Sequence, residues 1–265
     1  MQHQETHTLN NQRRQGTVGV SSTDAQTTWI VADAARREWQ HLSSGVKAID
    51  RQSWKRWGAG LVLSFIVCAA WTYLVVMVTR QIPDLAAWDE RALASLVAWL
   101  PMEFADAIMY ESPGNLLYLA PLVVVASIIS VRAGHTGYAI TLIAGYILQR
   151  PLVILGWSLW DRVRPSVVAE GIAAPGFHSF PSGHTALSTF VYGFLVYLWI
   201  RRARHPAEKL FAAALALIWV AIIAAGRIRL GAHWPSDIVG GFLVAVPWLA
   251  ACIYLLQRLE RGRGT

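Results

Sequence analysis

Residues 181–200 read PSGHTALSTFVYGFLVYLWI, a turn-forming and helix-starting quartet followed by sixteen residues without one Asp, Glu, Lys or Arg. Pro181 fits the first helical position, where its missing N–H is no loss, and Ser182 with Gly183 makes an ordinary helix start. Crossing a hydrocarbon core of about 30 Å takes roughly 20 apolar residues in a helix. The stretch therefore reads as a membrane span whose polar N-terminal end carries Ser182, Gly183 and His184 at one membrane surface.

Five more stretches have the same character, so that the spans fall at about 57–79, 115–131, 137–160, 183–200, 209–226 and 238–256, the second being short. Composition agrees: the 265 residues are 55% hydrophobic and 15% charged, with a mean hydropathy of +0.39, more apolar than an average soluble domain. The expected fold class is all-α, a polytopic membrane protein with six transmembrane helices in a bundle and short surface helices. Those surface helices are expected within residues 82–112, where Asp84, Leu85, Trp88, Asp89, Leu93, Leu96 and Trp99 alternate acidic and apolar character.

Ahead of the first span, Val31, Ala35, Trp39, Leu42, Val46 and Ile49 recur in steps of three and four. They predict an amphipathic helix over 29–56, interfacial or, on periodicity alone, an ordinary soluble one. Residues 1–28 are polar and read as a disordered cytoplasmic tail, 57–256 as the six-span domain and 257–265 as a second cytoplasmic tail. The N-terminal residues lack the basic and apolar regions of a cleavable signal. Cys68 and Cys252 lie inside apolar stretches and read as core residues.

The formal charge of +7 and pI near 9.8 would suit nucleic acid or an anionic membrane. The distribution of Lys and Arg decides: eight precede the first span, one follows the second, four follow the fourth and three close the chain, against six on the other side. By the positive-inside rule both termini are cytoplasmic, and nucleic acid is not an expected partner. Arg150, inside the third span, is expected to make a structural pairing within the bundle.

Three outward segments then carry chemistry: Arg162-Val163-Arg164-Pro165, Pro181-Ser182-Gly183-His184, and Arg227 with His233 and Asp237. Guanidinium groups donate paired hydrogen bonds to phosphate oxygens, although either Arg alone could equally snorkel to a lipid headgroup. A helix N-terminus offers unpaired N–H groups and partial positive charge to an anion, and Gly183 would let a phosphate approach closely. His233 and Asp237 are four apart, so if Pro235 starts the sixth span the carboxylate can hold one imidazole nitrogen and leave the other free. Each group alone has an ordinary structural reading; gathered at one end of a bundle they form a site hypothesis.

The order and spacing of Arg164-Pro165, Pro181-Ser182-Gly183-His184, and Arg227, His233 and Asp237 resemble the three motifs of the type 2 phosphatidic acid phosphatase superfamily, in its membrane lipid phosphatase branch. The resemblance covers roughly residues 80–256. It implies that His233 attacks phosphorus to give a phosphohistidine, that Asp237 orients it and that His184 protonates the leaving oxygen. Arg164, Ser182, Gly183 and Arg227 would hold the phosphoryl oxygens, without metal or other cofactor. Two positions depart from the family pattern: Trp157 stands where the first motif has Lys, seven residues before Arg164, and Gly226 where the third has Ser. Arg162 is the expected substitute for the missing cation.

The function expected on this resemblance is hydrolysis of a lipid phosphomonoester or polyprenyl diphosphate by an integral protein of a bacterial inner membrane, with the site on the periplasmic side. Phosphoryl transfer to a lipid or sugar acceptor, and a non-catalytic binding or transport role, stay open. So do the headgroup and the oligomeric state.

Overall fold

The structure, a computed structural model, describes residues 22–168, 171–172 and 178–262, with side chains from residue 32 onward. The remainder of the expected N-terminal tail and residues 263–265 lie outside these. The described elements are α1 (Ser22–Lys47), α2 (Arg51–Arg80), α3 (Leu85–Trp99), α4 (Phe104–Glu111), a 3-10 turn (Ser112–Gly114), α5 (Leu116–Arg132), α6 (Thr136–Leu159), α7 (Gly183–Arg202), α8 (Pro206–Arg229) and α9 (Pro235–Arg261), with no strand among the described residues. Among the described residues six stretches are long and apolar enough to cross a membrane: α2, Phe104–Arg132, α6, α7, α8 and α9. The expected fold class stands.

The spans are apolar all round, as lipid-facing helices must be. Helix α2 exposes Val62, Leu63, Ile66 and Val67 while burying Cys68, Val75 and Val76. On the inner faces, Leu119 of α5, Leu142 and Leu152 of α6, Phe190 and Phe194 of α7, and Trp248 and Cys252 of α9 form one core. Trp248 satisfies its indole N–H on the Gly145 carbonyl at 2.9 Å, which lets so large a ring be wholly buried. Helix α9 packs on α2, α6 and α7 and is the hub of the bundle.

Several expectations need correction. The second span is not the short stretch 115–131: α4 joins α5 through the 3-10 turn, giving a 29-residue apolar segment from Phe104. Pro113 in that turn lacks an N–H, so the chain tightens there and resumes as helix at Leu116. Helix α4 therefore packs on α8 instead of lying apart as a surface helix. Pro181 precedes the helix start: Ser182 is the N-cap of α7, its Oγ accepting from the Thr185 N–H at 3.4 Å. Pro235, by contrast, is the first residue of α9 as expected. Arg150 is exposed on α6 and has no ion-pair partner among the described residues.

At the front, helicity begins at Ser22, inside the segment expected to be a tail, and the chain turns at 48–50, ahead of the expected boundary at 56. Asp50 caps α2 by accepting from the Ser53 N–H at 2.8 Å. Helix α1 lies against α5 and α6, with Ala35, Leu42 and Val46 facing Val131, Ala139 and Ile143 across a cleft. Glu38 of α1 pairs with Arg132 at the end of α5.

Helix α3 is fastened differently. Its one charged residue in the buried set, Asp89, reaches the N-terminal end of α9, where Oδ1 accepts the Ser236 N–H at 2.9 Å and Oδ2 accepts the Ser236 hydroxyl at 2.7 Å and Arg162 Nη2 at 2.5 Å. Removing one partner of a buried ion pair leaves the other charge uncompensated, at a cost of about 3–5 kcal/mol. Asp89→Ala is therefore expected to destabilise the protein by about 3 kcal/mol, read as a lowered thermal midpoint in detergent. An unchanged midpoint would refute this account of how α3 is held.

Candidate active site

The ends of α6, α7, α8 and α9 that carry the sequence motifs meet at one end of the bundle. The α8–α9 connection sets the first functional group. Gly231 takes φ +62°, a left-handed conformation that a side chain would strain, and this brings the Ala232 N–H onto the Arg227 carbonyl at 3.0 Å. His233 follows, 1% exposed, with Nδ1 2.9 Å from the Ser179 carbonyl. A carbonyl only accepts, so Nδ1 carries the hydrogen and Nε2 keeps its lone pair. Burial pushes the His233 imidazole down to about 4, which leaves it neutral at ordinary pH.

Asp237, in the first turn of α9, lies 3.5 Å from His233 Nδ1 through Oδ2. Its closer contacts are elsewhere: the Trp234 N–H at 2.8 Å, the Ser179 hydroxyl, and Arg162 Nη1 at 2.7 Å. The same Arg162 nitrogen donates to the Ser236 hydroxyl at 2.7 Å, and the guanidinium lies over the Trp160 and Trp234 rings, 4.8 and 5.6 Å from their centroids. Arg162 was expected to replace a missing phosphate-binding cation. That expectation is corrected: its charge is held by Asp89 and Asp237, both fully buried, so the guanidinium serves the wall behind His233.

His184 and Arg227 share a carboxylate, that of Glu111. Arg227 sits in the last turn of α8, buried, with Nη1 3.1 Å from Glu111 Oε2 and its buried Nε without a partner among the described residues. His184, the second residue of α7, places Nε2 2.9 Å from Glu111 Oε2 and 2.8 Å from Asn115 Oδ1. Arg164 donates from Nη1 to the Ala232 carbonyl at 2.7 Å, which places it against the residue before His233. Ser182 is fully buried; its N–H donates to the Asp237 carbonyl at 3.0 Å, tying the start of α7 to the start of α9.

Trp157 has no cation to offer. Its indole N–H donates to the Pro181 carbonyl at 3.0 Å, its ring stacks on His178 with centroids 5.7 Å apart, and its edge lies about 3.3 Å from where a Cβ on Gly183 would stand. An apolar plate thus flanks the N-terminus of α7 where the family pattern has a charge.

Sequence reasoning missed Asp89, Glu111, Asn115, Ser179 and Ser236. One signal was present: Glu111 is an acid at the head of an apolar span, a costly placement that marks a functional group. Asp89 has no such local mark, because its partners are 73 and 147 residues away.

Comparison with known proteins supports the motif reading. Residues 134–261 match the family described as the PAP2 superfamily. The chain is 33% identical over 144 residues to a protein of Escherichia coli (strain K12) provisionally named undecaprenyl-diphosphatase YbjG, covering 44% of this chain and 67% of that one. It is 32% identical over 82 residues to phosphatidylglycerophosphatase B of the same organism, covering 31% and 30%. With phosphatidylglycerophosphatase B of Bacillus subtilis (strain 168) it shares 28% identity over 132 residues, covering 47% and 61%. The fold matches the crystal structure described as the first transmembrane PAP2 type phosphatidylglycerolphosphate phosphatase from Bacillus subtilis, with a TM-score of 0.55 at 20% identity over 77% of this chain and 95% of that one. From the motif order, the matched segment and the relative sharing a third of its residues over two thirds of its length, the chain belongs to the PAP2 superfamily.

Proposed function

We propose that this protein is a membrane lipid phosphatase that hydrolyses a lipid phosphomonoester or a polyprenyl diphosphate through a phosphohistidine on His233. The observation that carries the reading is the pairing of a neutral, buried His233, its Nδ1 held by the Ser179 carbonyl, with a buried Arg227 whose Nε has no partner among the described residues. A nucleophilic lone pair and an unspent cationic donor at one end of a bundle are what phosphoryl transfer requires. The names of the relatives, an undecaprenyl-diphosphatase and phosphatidylglycerophosphatases, support lipid phosphates as the substrate class.

In the proposed reaction His233 Nε2 attacks phosphorus as the bond to the leaving oxygen breaks, and His184 protonates that oxygen. Water then attacks the phosphohistidine, giving its proton to His184 and releasing phosphate and neutral His233. Arg227, Arg164, the Ser182 hydroxyl and the free N–H groups of the first turn of α7 hold the phosphoryl oxygens. Asp237 and Arg162 act from behind, fixing Ser179 and the α9 start against which His233 rests. The charge distribution supports cytoplasmic termini and a periplasmic site, so the lipid tail would stay in the bilayer while its head enters from the outer leaflet.

Three outcomes are expected. In detergent, His233→Ala lowers phosphate release from a panel of lipid phosphates and diphosphates by about a thousandfold or more and abolishes acid-labile labelling by ³²P substrate; equal release by wild type and variant would refute the hydrolase reading. Release by the wild type is expected to persist in excess EDTA, and a metal requirement would appear as activity lost to chelator and restored by a divalent cation. Because burial lowers the His233 pKa, its protonated form gains population only as pH falls through about 4. Nitrogen-15 histidine spectra should therefore keep the neutral His233 pattern well below the ordinary imidazole midpoint near 6.5, and a midpoint at 6.5 would contradict the geometry.

A further inference from the structure

Glu111 bonds to His184 and Arg227 and takes no part in the chemistry proposed so far. It is the last residue of α4, buried, at a membrane-span position where an isolated carboxylate is costly. Its Oε2 lies 2.9 Å from His184 Nε2 and 3.1 Å from Arg227 Nη1, and its Oε1 accepts from Asn115 Nδ2 at 3.2 Å. Asn115 turns its carbonyl oxygen to the same His184 nitrogen at 2.8 Å. Two acceptors converge on Nε2, so that nitrogen carries a hydrogen, and Nδ1, with no partner among the described residues, is the nitrogen open to a reacting atom.

The way Glu111 arrives there explains a departure in the third motif. Gly226 sits where α4 crosses α8. A Cβ on it would stand 2.8 Å from the Ala107 carbonyl oxygen and 3.0 Å from the Glu111 backbone nitrogen and Cβ, atoms that cannot swing aside. The absence of a side chain at Gly226 is thus what lets α4 close on α8. That close approach delivers the Glu111 carboxylate to Arg227, the residue next to Gly226 in sequence.

We propose that Glu111 is a positioning residue for leaving-group protonation: its carboxylate holds His184 through Nε2–H, stabilises it as an imidazolium when substrate binds, and leaves Nδ1–H to meet the leaving oxygen. The inference rests on the reading of His184 as the general acid. As the P–O bond breaks, the proton passes from His184 Nδ1 to the leaving oxygen, and Glu111 stays ionised throughout. The neutral imidazole keeps its hydrogen on Nε2 and takes a proton from the attacking water through Nδ1 in the second step.

The test compares leaving groups, because a general acid matters only where the departing oxygen needs a proton. Full-length wild type, Glu111→Gln, Glu111→Asp, Gly226→Ser and His233→Ala are purified in detergent, and first-turnover release of the alcohol is measured with dodecyl phosphate and with 4-nitrophenyl phosphate. Glu111→Gln keeps the shape and removes the charge. It should slow dodecanol release about a hundredfold while changing 4-nitrophenol release by less than about threefold. Glu111→Asp should recover part of the dodecanol rate, and Gly226→Ser, by forcing α4 from α8, should reproduce the Glu111→Gln selectivity.

A Glu111→Gln loss equal for both substrates, or no loss for either, overturns the inference while leaving the hydrolase reading intact. Should Glu111→Gln fail to fold, the ratio of the two rates in Glu111→Asp and Gly226→Ser decides, and an unchanged ratio in both overturns it. A His233→Ala protein as active as wild type would instead remove the underlying reading.

Discussion

One guanidinium organises the end of this protein that carries the sequence motifs. Arg162 pairs with the carboxylates of Asp89 and Asp237 beside the Trp160 and Trp234 rings, where little water competes for the charges. Removing three ionised groups from water is expensive, and the arrangement holds because every carboxylate oxygen has at least one partner and each carboxylate has two besides Arg162: the Ser236 N–H and hydroxyl for Asp89, the Trp234 N–H and Ser179 hydroxyl for Asp237. Through those partners the cation joins the loop after α6, the surface helix α3, the strap before α7 and the start of α9. His233 rests on the carbonyl of Ser179, so the position of the imidazole is inherited from this network.

Two pairs of acid and base support the two histidines. Behind His233, Asp237 answers to Arg162; behind His184, Glu111 answers to Arg227. Each histidine is thereby held through one ring nitrogen and bare at the other, the condition for one to act as nucleophile and the other to move a proton. Among the groups set into the pocket, the charges of Arg162 and Asp89 cancel, as do those of Arg227 and Glu111. Trp157, where the family pattern has a lysine, adds no cation here, and its indole N–H is held by the Pro181 carbonyl.

Much of the architecture was legible in the chain. Runs of apolar residues near the thickness of a bilayer identify spans whatever their neighbours do, and helix-start chemistry at Ser182 and Pro235 located two of the ends that matter. The failures have a common cause. The second span was cut short because Glu111 and the Ser-Pro-Gly turn look like a boundary, yet the turn carries the helix direction onward and the acid is neutralised by Arg227, 116 residues away. Arg162 and Arg164 are two residues apart and chemically identical. Nothing local says that one is consumed by carboxylates while the other reaches the residue before His233.

The sequence by itself determined that the protein is a helical bundle for a membrane, that it belongs to the PAP2 superfamily by the spacing of its motifs, and that Arg164, Ser182, Gly183, His184, Arg227, His233 and Asp237 gather at one end. Those conclusions depend on hydrophobic length, helical period and residue order, all of which are local. Only the tertiary structure decided which charges are spent and which are free. It assigned Arg162 to Asp89 and Asp237, brought Glu111 to His184 across Gly226, and gave His233 the Ser179 carbonyl as its nearest partner. The physical reason is that a buried charge is defined by what neutralises it, and in this fold the neutralising groups come from helices far apart in the chain.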